Sequence, residues 1–144
     1  MDLSVPVVHT EDLFHTPVKD VMVDYSTDWV RKTEYAIRTA YFSSPFFIYY
    51  QDALFSIMDS RPSTLWELDL RLIEFFCEKT GIAPRLEETS SYRGADIEIH
   101  PKRPSSYSGK PYWQVFADRS GFVPNLSIMD LLFNEGPESL SFLL

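Results

Sequence analysis

Residues able to do acid–base, metal or anion chemistry fall in four places along the chain. His9 and His15 bracket the acidic turn "HTEDLFH", with Glu11 and Asp12 between them. Their spacing fits neither the i, i+4 pair of a metalloprotease helix nor a zinc-finger pair, so they read as surface-turn histidines and no metal is assigned. Asp96 and Glu98 in "ADIEI" stand two positions apart. On an extended segment their carboxylates share one face, as a general acid–base pair would. His100, Lys102 and Arg103 in "IHPKRP" form a cation cluster in an otherwise acidic protein. Such a cluster either clamps a phosphate or carboxylate or is an ordinary basic patch on a solvated loop. Asp130 stands between Met129 and Leu131 in the apolar stretch "GFVPNLSIMDLLFNEGPES". The chain carries no Gly-rich phosphate loop, Ser nucleophile elbow or H-E-x-x-H motif.

The elements that must position these groups are read from periodicity. "DLSVPVVHT" and "VKDVMVDY" alternate and predict two short strands, with Pro6 marking an edge or bulge. From Asp28 the period becomes helical, with Trp29, Thr33, Ala36, Ile37, Ala40 and Tyr41 on one stripe. Ser44 and Pro45 suit the N-cap and first position of a second helix. Thr64 and Glu67 form a capping-box pair opening a third, and Gly81 suits its C-terminal cap. "IAPRLEET" and "YWQVFADR" predict further strands, the latter with Trp113, Val115 and Ala117 on one face. The Gly-, Pro- and Ser-rich stretch from Ser90 to Pro111 between them predicts a long irregular loop. A short helix from Ser127, stopped by Gly136 and Pro137, closes the chain before a last turn. The expected fold is therefore α+β: a small mixed sheet with three main helices packed on it and a short C-terminal helix. Because the chain begins in what reads as mid-sheet, an uncovered sheet edge or apolar face is expected, and with it either self-association through that edge or poor solubility.

For Asp130 this reading supplies a structural role. Ser127 three residues earlier makes a capping-box pattern, and a carboxylate in the first turn complements the helix dipole. Asn125 and Asn134 suit cap and turn positions. If Asp130 only starts a helix, Asp130→Asn leaves stability nearly unchanged.

Bulk composition narrows the classes. The 144 residues suit one domain, and 44% hydrophobic with 15% aromatic residues is ample material for a core. A net charge of −8, from 21 acidic and 13 basic residues, argues against duplex nucleic acid and against a polybasic membrane anchor. Cys77 is the single cysteine, so neither an intramolecular disulfide nor a multi-Cys zinc site is available. It reads as a small buried thiol next to Phe75 and Phe76 on a helix. With no long apolar run and no signal-peptide pattern, the expected location is cytoplasmic.

"YWQVFADRSGFVPNLSIMDLLFNEGPESL" resembles the C-terminal signature of the WbqC-like protein family: an aromatic-x-Gln, then Phe-x-Pro-Asn-Leu-Ser-Ile-x-Asp-Leu-Leu-Phe-Asn-x-Gly-Pro. "WVRKTEYAIRTAYFSSPFFIYYQDAL" is similar to its central helical region, and "IHPKRP" to a Pro-Lys element of its Bacteroides-type subgroup. The resemblance implies one WbqC-like domain over residues 1–144, lacking the N-terminal segment with which family members usually begin. It also departs at Thr33, where a histidine is common. The family's genes lie among those for O-antigen or other surface polysaccharides. The resemblance thus implies a transferase whose substrate is a nucleotide-activated sugar or an acyl donor, with the cofactor unknown. A non-catalytic binding or assembly subunit is the alternative. On the matching positions, Asp130 would be catalytic; Tyr112, Gln114 and Asn125 would bind substrate, with His100 and Lys102 reaching its anionic group.

Overall fold

Helices make up the regular structure in the computed structural model, which describes residues 3–10, 12, 15–89, 91 and 109–144. α1 spans Trp29–Tyr41 and buries Trp29, Val30 and Ile37. Thr33, Ala36, Ala40 and Tyr41 are half-buried beside them, so the predicted stripe is the one that meets the core. α2 runs Phe47–Asp59. It starts later than Ser44 and Pro45 suggest, because the backbone turns first: Ser44 N–H donates to the Tyr41 carbonyl at 2.8 Å. The Phe46 N–H then donates to the Phe133 carbonyl at 3.0 Å, which fastens the start of α2 to a distant element in place of a side-chain cap.

α3, Leu65–Thr80, keeps both predicted ends. Thr64 Oγ1 accepts from the Glu67 N–H at 3.2 Å, and the Glu67 carboxylate reaches back to the Ser63 N–H at 3.1 Å. Gly81 adopts φ +79°, the left-handed turn that lets its own N–H and that of Ile82 close on the Glu78 and Cys77 carbonyls. α4 is a single turn, Ala117–Ser120. α5, Ile128–Glu135, follows, and α6, Ser139–Leu143, ends the chain after a 3-10 turn at Gly136–Glu138.

The expected mixed sheet is absent from the described residues, and the α+β assignment is corrected to a helical fold. Among those residues, strand-like pairing is limited to two isolated antiparallel bridges, Val7 with Val23 and Met22 with Thr64. The first predicted strands do meet: Val8 N–H reaches the Met22 carbonyl and Asp24 N–H the Pro6 carbonyl, both at 2.9 Å. Pro6, with no N–H, and the 3-10 turn at Val18–Asp20 leave the pairing too short to propagate. Residues 82–89 are exposed and unpaired in any ladder. Around Gln114 the alternation is real but inverted in meaning, since Trp113 is 52% exposed and Gln114 is buried. The sheet edge expected to carry self-association has no counterpart among the described residues. Exposed apolar surface lies instead at Tyr35, Phe42, Ile48 and Tyr49, around the turn joining α1 and α2.

The core forms where α2 packs on α1, α3 and α5, and α3 on α5. Phe133 sits at its centre, fully buried, with the Tyr41 and Phe47 rings edge-on to it at 5.1 Å each. Such pairs add about 0.5–1.5 kcal/mol beyond the area they bury. α5 ends at Gly136, whose φ of +53° and close neighbour both require glycine: a Cβ there would lie 2.5 Å from the Phe46 ring. No helix among the described residues is long and apolar enough to cross a membrane.

Candidate functional site

Asp130 is placed by the first turn of α5. Ser127 caps that turn through its Oγ, which accepts from the Met129 N–H at 3.3 Å. Asp130's carboxylate does not complete the capping box. It is 6% exposed and turned to the segment that precedes α4. Its Oδ2 accepts the Tyr112 hydroxyl at 2.6 Å and the Gln114 Nε2–H at 3.3 Å. Tyr41, from the last turn of α1, lies near enough for the Asp130 charge to act on its phenol. One buried anion thus gathers side chains from α1, α5 and the 112–114 segment.

Gln114 ties this cluster to the loop before α5. Its Nε2 donates to the Val123 carbonyl and its Oε1 accepts from the Val123 N–H, both at 2.9 Å. The side-chain amide therefore plays the part of a neighbouring backbone, satisfying both polar groups of one loop residue. Trp113 adds a tether, its N–H donating to the Glu135 carboxylate at 3.1 Å. Asn134, one turn beyond Asp130, donates to the Asp130 backbone carbonyl at 2.8 Å, while its Oδ1 is buried with no partner among the described residues.

Both phenols are pushed up from the usual tyrosine range. For Tyr41 the main cause is burial, followed by the negative charge of Asp130. For Tyr112 burial again leads, the hydrogen bond to Asp130 adds, and Gln114 partly opposes. Both phenols are held neutral, and the Tyr112 hydroxyl donates to the carboxylate.

Beside this cluster lies an open groove of about 380 Å³, lined by Lys110, Tyr112, Phe122, Asn125, Ser127 and Phe142 among others. Tyr112 is its shared wall, with the Phe122 and Phe142 rings edge-on to it at 5.5 and 6.0 Å. Asn125 reaches the groove from a left-handed backbone, φ +56°, a conformation asparagine tolerates better than most residues. Lys110 Nζ is anchored on the Ser141 carbonyl at 2.9 Å.

Of the residues named from sequence, Tyr112, Gln114 and Asp130 come together, and Asn125 joins Tyr112 on the groove. Gln114 and Asp130 stand behind the groove wall. His100 and Lys102, with Asp96, Glu98 and Arg103, lie outside the described residues. His9 is exposed, and His15 pairs with Asp12 at the surface. Among the described residues no three His, Cys, Asp or Glu side chains come together as a metal site. Cys77 is a free thiol, half-buried on α3. Sequence reading missed Lys110, hidden at the end of a loop, and Tyr41, whose place on the α1 stripe reads as core packing alone.

The uncharacterized protein Rv1507c of Mycobacterium tuberculosis is 25% identical over an alignment that takes in 98% of this chain and 74% of that protein. No solved structure matches the chain. Residues 1–103, which carry α1, α2 and α3 but stop short of Tyr112 and Asp130, match the family described as "WbqC-like protein family". On that match over more than half its length, the chain belongs to the WbqC-like protein family.

Proposed function

We propose that the chain acts in the biosynthesis of O-antigen or another surface polysaccharide, as a transferase on a nucleotide-activated sugar bound in the groove beside Tyr112. The observation that carries this reading is the groove's mixed lining. Tyr112 and Phe122 offer aromatic faces to a base or sugar ring, Lys110 offers a cation to a diphosphate, and Asn125 and Ser127 offer polar atoms to hydroxyls. The company kept by genes of the family supports the same substrate class. In this reading Asp130 is a positioning residue: it fixes the Tyr112 hydroxyl and, through Gln114, the loop that carries Asn125.

Binding is tested by titrating UDP-N-acetylglucosamine and dTDP-glucose into the protein and following thermal unfolding. A ligand at 100 times its dissociation constant adds about 2.7 kcal/mol, a rise of several degrees in a chain of this size. Lys110→Ala and Asn125→Ala are expected to abolish the rise. No rise with either nucleotide sugar overturns the proposal. The second reading, a non-catalytic binding or assembly subunit, is favoured by the way Gln114 and Asp130 direct their polar atoms inward. A thermal shift without turnover of the bound sugar selects it.

A further inference from the structure

Apart from the C-terminal Leu144, the most exposed large apolar residues of the described chain gather around the turn joining α1 and α2. Tyr35 is 73% exposed, Phe42 81%, Ile48 68% and Tyr49 75%. On α1 they belong to a stripe: Arg31, Tyr35, Arg38 and Phe42 recur at helical spacing, and all four are exposed. That stripe is turned away from the face that buries Trp29, Val30 and Ile37. At the start of α2, Ile48 and Tyr49 extend the exposed surface, with the Phe46 ring 6.4 Å from that of Tyr49. Arg38 ties the two helices together. Its guanidinium donates to Gln51 Oε1 at 2.6 Å and lies 4.6 Å from the centre of the Phe55 ring.

Exposed apolar residues grouped in this way mark a contact surface, and charge narrows what it contacts. Residues 35–51 contain none of the chain's 21 acidic residues, and Arg38 gives the segment +1 in a protein of net charge −8. Lys32 adds an exposed cation, Arg31 pairs with Asp28 at 2.9 Å, and Asp52 is the first carboxylate past the corner. Rings interleaved with cations, and cleared of carboxylates, suit a membrane–water interface. There, aromatic side chains enter the headgroup layer and basic ones reach lipid phosphates. Area points the same way. Three rings and an isoleucine exposed to this degree offer roughly 500 Å², taking about 150–250 Å² for a whole aromatic side chain. A stable second copy needs about 800 Å² from each partner. Interfacial binding has no such threshold, since it grows with the apolar area buried and with attraction to anionic lipid.

We propose that the α1–α2 corner docks on an anionic bilayer surface, with Phe42, Ile48 and Tyr49 entering the headgroup layer and Lys32 and Arg38 facing lipid phosphates. The docking is peripheral and relies on exposed rings, unlike the polybasic anchoring that the net charge argues against. It holds whether or not the groove beside Tyr112 takes a nucleotide sugar.

The test is co-sedimentation of the full chain with vesicles of phosphatidylcholine mixed with phosphatidylglycerol, and with vesicles of phosphatidylcholine alone. Saturable binding to the mixed vesicles is expected. On phosphatidylcholine alone it should be about tenfold weaker, as one or two cations near an anionic surface imply. Phe42→Ser and Tyr49→Ser change open positions, so the circular-dichroism spectrum should be retained. Each should weaken binding to the mixed vesicles by about tenfold, the order set by withdrawing one ring from an apolar layer. Wild-type protein left in the supernatant at saturating mixed lipid overturns the proposal, and so do folded serine variants that bind as wild type does. Equal binding to both vesicle types overturns the anionic assignment. A lipid-free wild type that dimerises, with Phe42→Ser monomeric, gives the corner to a second copy and overturns the membrane. Should neither variant fold, the wild-type comparison of the two vesicle types decides.

Discussion

Replacing Asp130 with asparagine separates two accounts of the same residue. As a helix-start residue it would tolerate the change with little loss, because asparagine serves there about as well as aspartate. The structure places its carboxylate under the Tyr112 hydroxyl and the Gln114 amide instead, with the Tyr41 phenol nearby. A hydrogen bond to a charged acceptor contributes about 1.5–3 kcal/mol, against about 0.5–1.5 for a neutral one, so the Tyr112 bond weakens by about 1 kcal/mol on loss of the charge. The Gln114 bond, at 3.3 Å, is long and adds little. The new amide hydrogens also need acceptors in a site furnished with donors. The expected loss is about 2–3 kcal/mol, a large share of a small domain's total of about 5–15 kcal/mol. Urea unfolding followed by far-ultraviolet circular dichroism measures it as a lower midpoint at unchanged slope. Tyr112→Phe closes a double-mutant cycle, and a coupling of about 1–2 kcal/mol is expected between the two sites. An Asp130→Asn protein within about 0.5 kcal/mol of wild type, with no coupling to Tyr112→Phe, would refute the cluster and restore the capping account.

Alkaline pH probes the same cluster from the phenol side. Tyr41 and Tyr112 have folded-state pKa values raised above the unfolded one, so their contribution is intact below about pH 10 and is lost as pH climbs toward the folded values. Chemical denaturation between pH 8 and 11.5 should show falling stability above pH 10, and the fall should shrink in Tyr41→Phe and Tyr112→Phe; an unchanged slope in both contradicts the assignment. Gly136→Ala combines a positive φ with a Cβ set 2.5 Å from the Phe46 ring. Backbone strain and overpacking together should cost about 2–4 kcal/mol, read as a drop in thermal midpoint, and a near-neutral result would mean that the turn after α5 shifts freely.

How much of this was legible beforehand depended on how local each signal was. The α1 stripe, the Thr64–Glu67 cap and the Gly81 terminator are decided within a few residues, and all three stand in the structure. The sheet was misread because alternation describes only one strand, whereas a ladder needs a partner of matching length. Segments 5–8 and 21–24 find each other, but Pro6 and the turn at Val18–Asp20 stop them after a few bonds. Near Gln114, alternation came from a different cause. A buried amide bonding one loop residue and one carboxylate needs its neighbours to face away, which yields the same two-residue period without any strand. Tyr41's link to Asp130 spans most of the chain, and no local pattern announces a contact of that range.

Asp130 shows why a local rule can be satisfied and still leave a residue unexplained. Ser127 three positions before it fits a capping box, and Ser127 does cap α5. Yet a capping carboxylate would point back along the helix toward solvent-facing N–H groups, and this one is buried beneath Tyr112. Burying a charge without partners costs several kcal/mol, so its persistence here requires the donors that surround it. Those partners come from α1 and from the segment before α4, two regions that also meet α5 through the Tyr41 ring on Phe133 and the Trp113 N–H on Glu135. The carboxylate therefore helps to specify where distant parts of the chain meet. That gives the apolar stretch from Gly121 to Ser139 a reason to contain one aspartate, independent of any chemistry performed in the groove beside it.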